Sequence, residues 1–295
     1  MKFKTILLGI FAIASSIVSQ AQIQVSPKLI EGMKVVYTTS TTTEGLSPLN
    51  AFTSETEYTV SQVSPQGAVI IVSRLNSEVN TDSIGLMAQL TNLENTVLSG
   101  LTTNLSTDNH GKVIHVLNIE EIKRKGTEFA NKLVEETLKA HSNLKDVFPK
   151  SFVIGVTESL FTEQTIIDMH CFNGIMALNG KTITNGLTEH LSHDGMKLKR
   201  VFSIEGKDIV ATTTLDMTTE EQIEYFICQM QKHAPEQAET FKQDKERLAK
   251  FVNFEINNTC RYEIDDDGWV KSLKNESTKN NMGKSTKTVT YIKRL

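Results

Sequence analysis

Cysteine, proline and tryptophan are scarce in this chain of 295 residues, with three, five and one of each. Three cysteines cannot build a disulfide framework, and the odd number leaves at least one thiol unpaired in an oxidising compartment. Five prolines and sixteen glycines exclude collagen-like and Pro-rich scaffolds. Neither sign of charge dominates: 31 basic side chains face 35 acidic ones, a net charge of −4, so there is no general pull toward nucleic acid or anionic lipid. With 39% hydrophobic residues the chain is too apolar for a disordered segment. Beyond the N-terminus no apolar run approaches the roughly twenty residues of a membrane span.

What is present begins with an export signal. Lys2 and Lys4 precede an apolar run from Ile6 to Val18, and Ser19-Gln20-Ala21 places small residues at the −3 and −1 positions of a cleavage site. The run is too short for an anchor, and no cysteine near the cut offers a lipid attachment point. Residues 1–21 are therefore expected to be removed, leaving Gln22 first and 29 basic against 35 acidic side chains. The product is expected in the periplasm or outside the cell.

Lys34 to Thr43, Glu57 to Val63 and Ala68 to Leu75 read as strands, the last two joined across Ser64-Pro65-Gln66-Gly67. Leu86, Leu90, Leu93 and Val97 have helical spacing, and Gly100 is placed to stop that helix. Leu101–Ser106 and Lys112–Leu117 form a hairpin, after which Asn118 and Glu121 resemble a capping box for a helix carrying Ile122, Phe129 and Leu133. From Asn143 to about Gly180 the pattern is ambiguous: Phe148-Pro149 breaks a helix, while Phe161–Phe172 fits either helix or strand.

Strands are then expected over Lys181–His190, Met196–Ile204 and Lys207–Asp216, followed by a helix capped by Thr218 and Glu221 and bearing Ile223, Ile227 and Met230. That helix is extended through Ala234, Phe241, Leu248 and Val252, with Pro235 kinking or splitting it. A hairpin over Phe254–Ile264 and Trp269–Asn275, a polar loop Ser277–Lys284 and a strand Thr286–Lys293 complete the chain.

Both halves read strand, strand, turn, strand, helix, hairpin. Asp108, Gly111, Val113 and Asn118 correspond to Asp265, Gly268, Val270 and Asn275 at the same spacing, and Gly67 corresponds to Gly206. The expected organisation is a first sheet-plus-helix half at 22–150 and a second at 151–295, or one continuous domain. The expected fold class is α+β, a curved antiparallel sheet packed on amphipathic helices, with an internal duplication.

Catalytic signals are thin. His170-Cys171 is the best nucleophile candidate, but adjacent residues diverge on a strand or helix and cannot easily act as a base–nucleophile pair. His190 and His193, beside Asp194, lack the three or four convergent ligands of a zinc site. Asp265-Asp266-Asp267-Gly268 fails as a calcium loop, because its acids are adjacent and Lys274 stands where a bidentate Glu belongs. Cys171, His190 and His193 are the residues a hydrolase with an unrecognised site would use. No cofactor motif occurs. The basic clusters Lys123-Arg124-Lys125 and Lys197-Leu198-Lys199-Arg200 are short and offset by acids, which argues against nucleic acid. Cys228 reads as a buried small hydrophobe, Trp269 as a core or edge anchor, and a Cys171–Cys260 bridge stays open.

Ser19-Gln20-Ala21-Gln22, the opening Gly32-Met33-Lys34-Val35-Val36-Tyr37 and the Asp-x-x-Gly hairpins resemble an uncharacterised exported protein family of Gram-negative bacteria. The arrangement is also similar to the half-barrels of periplasmic lipoprotein carriers, and that likeness implies a curved sheet able to shelter acyl chains. Fold likeness does not fix function. The reading from sequence is a non-enzymatic exported binding protein for an apolar, lipid-like or amphipathic ligand. The alternative is an envelope structural or interaction module with a protein partner.

Overall fold

The computed structural model describes residues 22–45, 50–81, 100–140, 154–155, 158–193, 195–233, 248–249, 252–281 and 284–295. The signal segment, the helix expected over Leu86–Val97 and the helix extension beyond His233 lie outside these residues, apart from short pieces around Leu248 and Val252.

Strands come first: β1 (Gln22–Val25), β2 (Lys34–Glu44), β3 (Asn50–Ser64), β4 (Gly67–Thr81), β5 (Thr102–Asp108) and β6 (Val113–Val116). Helices α1 (Ile119–Ala140) and α2 (Glu163–Cys171) follow, then β7 (Lys181–Thr184), β8 (Thr188–His193), β9 (Met196–Glu205) and β10 (Asp208–Leu215). Helix α3 (Thr219–His233) leads to β11 (Phe254–Ile264), β12 (Val270–Asn281) and β13 (Lys284–Arg294).

Eleven strands form one antiparallel sheet in the order β6-β5-β4-β3-β2-β13-β12-β11-β10-β9-β8, while β1 pairs with β7 in a separate two-stranded sheet. The sheet is two meanders joined where the C-terminal strand β13 pairs with β2. The turns of the second meander lie six places along the sheet from their counterparts in the first: β3–β4 against β9–β10, and β5–β6 against β11–β12.

The expected α+β class is overturned. Strands make up 55% of the described residues and helices 22%, so the protein is mostly β. The cause is strand length. β3 and β4 run for fifteen residues each, and β12 continues through Ser277–Asn281, where a loop was expected. These extensions carry Thr, Ser, Asn and Lys in place of apolar alternation. They hold their place through the backbone ladders of β3 with β4 and of β12 with β11 and β13, and the neighbouring β2–β13 pair adds Thr41–Thr290 at 3.0 Å and Thr43–Thr288 at 3.3 Å. The expected strand Lys181–His190 is two strands in different sheets, broken at Gly186, whose φ is 78°.

The turns at 64–67, 108–112, 205–208 and 265–269 gather at one end of the sheet, and the main core lies under that end. Tyr37, Tyr58, Ile70, Leu105, Phe202, Ile209, Tyr262 and Leu273 face it from the sheet. Its other side is filled by Val25, Ile183, Ile166 and the run Ile175–Leu178, so β1, β7 and the α2 segment cover that face of the sheet there. Each large apolar side chain buried here contributes roughly 1.5–3 kcal/mol. Trp269 is 1% exposed and its Nε1 donates to Lys28 O at 3.1 Å, the core-anchor role expected of it.

Helix α3 belongs elsewhere. Its Ile223 and Ile227 pack with Leu248, Val252 and Phe254 in a separate cluster at the opposite end of the sheet. Thr218 and Glu221 cap it reciprocally: Thr218 N donates to the Glu221 carboxylate at 2.8 Å, and Glu221 N donates to Thr218 Oγ1 at 3.3 Å. Asn118 works differently from the expected box. Its side-chain oxygen accepts from Asn104 N at 2.9 Å, tying the start of α1 to β5. Cys228 is exposed on α3, against the expectation of burial, because the apolar stripe falls on Ile223 and Ile227. All three cysteines are free thiols.

Candidate functional site

The residues singled out in the sequence are each engaged in structural contacts. Thr162 caps α2, its hydroxyl accepting from Thr165 N at 3.2 Å, and the helix settles the ambiguous Phe161–Phe172 stretch. His170 on this helix meets the Tyr58 hydroxyl at 3.1 Å and packs edge-on against its ring. Burial lowers the His170 imidazole to a pKa of about 4, so it is neutral at pH 7. Burial and the nearby Asp168 carboxylate push the Cys171 thiol up to about 11. A protonated thiol is a poor nucleophile, and the adjacent histidine is committed to Tyr58.

His193 pairs with Asp168 at 2.9 Å and stacks on Phe172 with centroids 4.5 Å apart. The same Phe172 ring receives the Arg200 guanidinium at 4.8 Å. Arg200 is 2% exposed and donates to Phe172 O at 2.6 Å, Asn173 Oδ1 at 3.0 Å and Thr213 Oγ1 at 3.1 Å. Its other partner is Glu189, at 3.8 Å. This network fastens the segment after α2 to β8, β9 and β10. His190 lies apart, paired with Asp216 at 3.1 Å near the surface.

The acidic turn is likewise structural. Arg294 bridges Asp265 at 3.3 Å and Asp267 at 2.7 Å, and Asp267 O accepts from Lys28 N at 2.7 Å. Among the described residues no group of three or more His, Cys, Asp or Glu could hold a metal ion. The basic clusters are paired with acids, Lys123 with Glu120 at 2.8 Å and Lys197 with Glu221 at 2.5 Å.

Open volume appears on the outer face of the sheet instead. Val35 and Tyr37 turn into the core, so the alternate positions Thr38 and Ser40 belong to the other face. Pairing register lines up two rungs across four strands. One is Lys293–Thr38–Glu55–Asn76; the next is Tyr291–Ser40–Thr53–Glu78. The small central residues Thr38, Ser40 and Thr53 form a floor. Tyr291 and Lys293 on β13 make one wall, and Asn76 and Glu78 on β4 make the other. The trough so formed has a volume of about 370 Å³.

A bulge borders the trough. The β3–β4 register shifts between Glu55 and Thr56, leaving Leu75 without a counterpart and 54% exposed. Bulges bend and twist a sheet locally, which is how an antiparallel surface acquires a concavity. Tyr291 is 52% exposed, with Lys274 Nζ 5.6 Å from its ring centroid. No single segment announces this site in the sequence, because its walls come from residues more than two hundred positions apart.

The chain matches no family model and no curated protein. Among solved structures, it is similar to lipovitellin, from a study of lipid–protein interactions, at 8% identity and a TM-score of 0.39, covering 91% of this chain and 25% of that one. It is also similar to a porin-like protein from Bacteroides uniformis at 11% identity and a TM-score of 0.20, covering 92% and 98% of the two chains. The chain thus spans a quarter of the lipovitellin chain. Both scores are too low to define a shared fold. Among the described residues no helix is long and apolar enough to cross a membrane, which says nothing of crossing by strands.

Proposed function

We propose that this is an exported binding protein that acts without catalysis and takes an amphipathic ligand in the outer trough. The supporting observation is the pair of aligned rungs, small residues in the middle and long polar or aromatic ones at the sides, around about 370 Å³ of open space. That volume falls within the range of small-ligand sites. The core side of the sheet, where the likeness to lipoprotein carriers would shelter acyl chains, is filled at the turn end by β1, β7 and the α2 segment.

The test is thermal unfolding of the purified protein with and without the small-molecule fraction of a bacterial envelope extract. A ligand at a hundred times its Kd stabilises by about 2.7 kcal/mol, a readily measured rise in Tm. The variant Ser40→Trp fills the floor of the trough at an exposed position and should unfold normally while losing the rise. No rise for the unmodified protein, or an undiminished one for Ser40→Trp, would retire the reading.

A further inference from the structure

Resting on the trough as the binding site, we infer that its ligand is a saccharide, held as a short oligosaccharide against Tyr291. A sugar ring has two chemistries: a face of C–H groups and a rim of hydroxyls that both donate and accept. The trough supplies a partner for each. Tyr291 is a half-exposed aromatic side chain in the wall, and rings of this kind pack against C–H faces while keeping a polar tip in water. Glu55 and Glu78 accept hydrogen bonds from hydroxyls, Lys293 donates them, and the Asn76 amide and the floor hydroxyls of Thr38, Ser40 and Thr53 do both.

Other ligand classes fit these walls less well. An alkyl chain laid in the trough would strip water from two carboxylates and an ammonium without replacing their hydrogen bonds. A phosphate or other polyanion would meet Glu55 and Glu78 with Lys293 as the one basic residue in the lining. A neutral polyol replaces the lost water at every one of these groups. The threonine methyls and the tyrosine ring meet its carbon face.

Affinity electrophoresis through gels containing laminarin, mannan or solubilised peptidoglycan tests this, with palmitate titration as the contrasting arm. The protein is expected to be retarded by at least one of the three polysaccharides. Tyr291→Ala should weaken that retardation by about tenfold while Tyr291→Phe largely preserves it. Glu78→Gln should also weaken it, and all three exposed substitutions should leave Tm unchanged. Binding of palmitate that is lost in Tyr291→Ala, with no polysaccharide retained, would keep the trough and overturn the saccharide. Polysaccharide retention indifferent to Tyr291→Ala and Glu78→Gln would overturn the trough itself. No retention and no palmitate binding would overturn both.

Discussion

Arg200 places a full charge where the fold admits almost no water, and it is kept there by many partners. Its guanidinium satisfies a backbone carbonyl, an amide oxygen and a threonine hydroxyl, lies over an aromatic face, and has Glu189 at 3.8 Å. Removing it leaves the Phe172 carbonyl, Asn173 Oδ1 and Thr213 Oγ1 without their donor, while Glu189 keeps Lys181 at 2.7 Å. Leaving a buried acceptor unsatisfied costs about 1–3 kcal/mol. Arg200→Ala should therefore lower Tm sharply in a calorimetric scan, and Arg200→Lys should recover only part, since an ammonium cannot reproduce the planar fork.

His170 makes a second residue-scale prediction, in pH. Its folded pKa of about 4 lies below the ordinary 6.5, because burial disfavours the imidazolium. Between those values the unfolded chain binds more protons than the folded one. Stability is thus complete above about pH 6.5 and is lost as pH falls toward 4. The residue as a whole is only half-buried, so the loss is put at roughly 2 kcal/mol, below the full value of the shift. Urea midpoints measured at pH 7 and pH 4.5 should show it. His170→Gln should flatten that part of the profile.

At the scale of elements, two hairpin turns grip one strap. Gly111 and Gly268 have φ of 79° and 80°, and both sit against the segment that follows β1. A Cβ on Gly111 would meet Pro27 Cγ at 2.6 Å; one on Gly268 would meet the Ser26 carbonyl. Gly268→Ala combines left-handed backbone with collision against a carbonyl, a cost of about 2 kcal/mol. Gly206 offers a control, with φ 66° and nothing within 4 Å of its Cβ position. Gly206→Ala should cost less than Gly268→Ala in the same denaturant titration.

Elements were legible in the sequence where apolar alternation or turn chemistry marked them. The turn at Ser64–Gly67, the Asp-x-x-Gly hairpins and the Thr218 cap all stand where expected. Strand ends made of Thr, Ser and Asn were not legible, because alternation has nothing to contrast when both faces are polar. Thr38–Thr43 is the exception, read as the end of the Lys34–Thr43 strand and found within β2. That same polar stretch supplies two floor residues of the trough, Thr38 and Ser40, and only pairing with β3 and β13 reveals it. His170, Cys171 and His193 were visible as residue types. Their commitments to Tyr58, burial and Asp168 arise from contacts across the fold.

For the whole molecule, the six-place offset between corresponding turns bears on the duplication expected from the sequence, which we keep as a proposal. Homologues aligned half against half should bring Gly67 onto Gly206 and Gly111 onto Gly268, and failure of both would remove it. Export is a second proposal at this scale, with a sharper test. Strand β1 starts at Gln22, the residue expected to become the N-terminus, and Gln22 pairs with Thr184 at the end of β7. Cleavage after Ala21 would thus leave no overhang before the strand, and Ile23 and Val25 would still reach the core. Cutting further downstream would remove them: Val25 is fully buried, and losing such a side chain costs about 1.5–3 kcal/mol. Intact-mass measurement and N-terminal sequencing of protein recovered from the periplasm should find Gln22 first. A deletion of residues 22–25 placed behind the same signal should be exported but unfold at lower temperature, since β7 loses its only strand partner among the described residues. Recovery of the uncleaved chain in the cytoplasm would end the export reading and leave the stability argument for β1 standing.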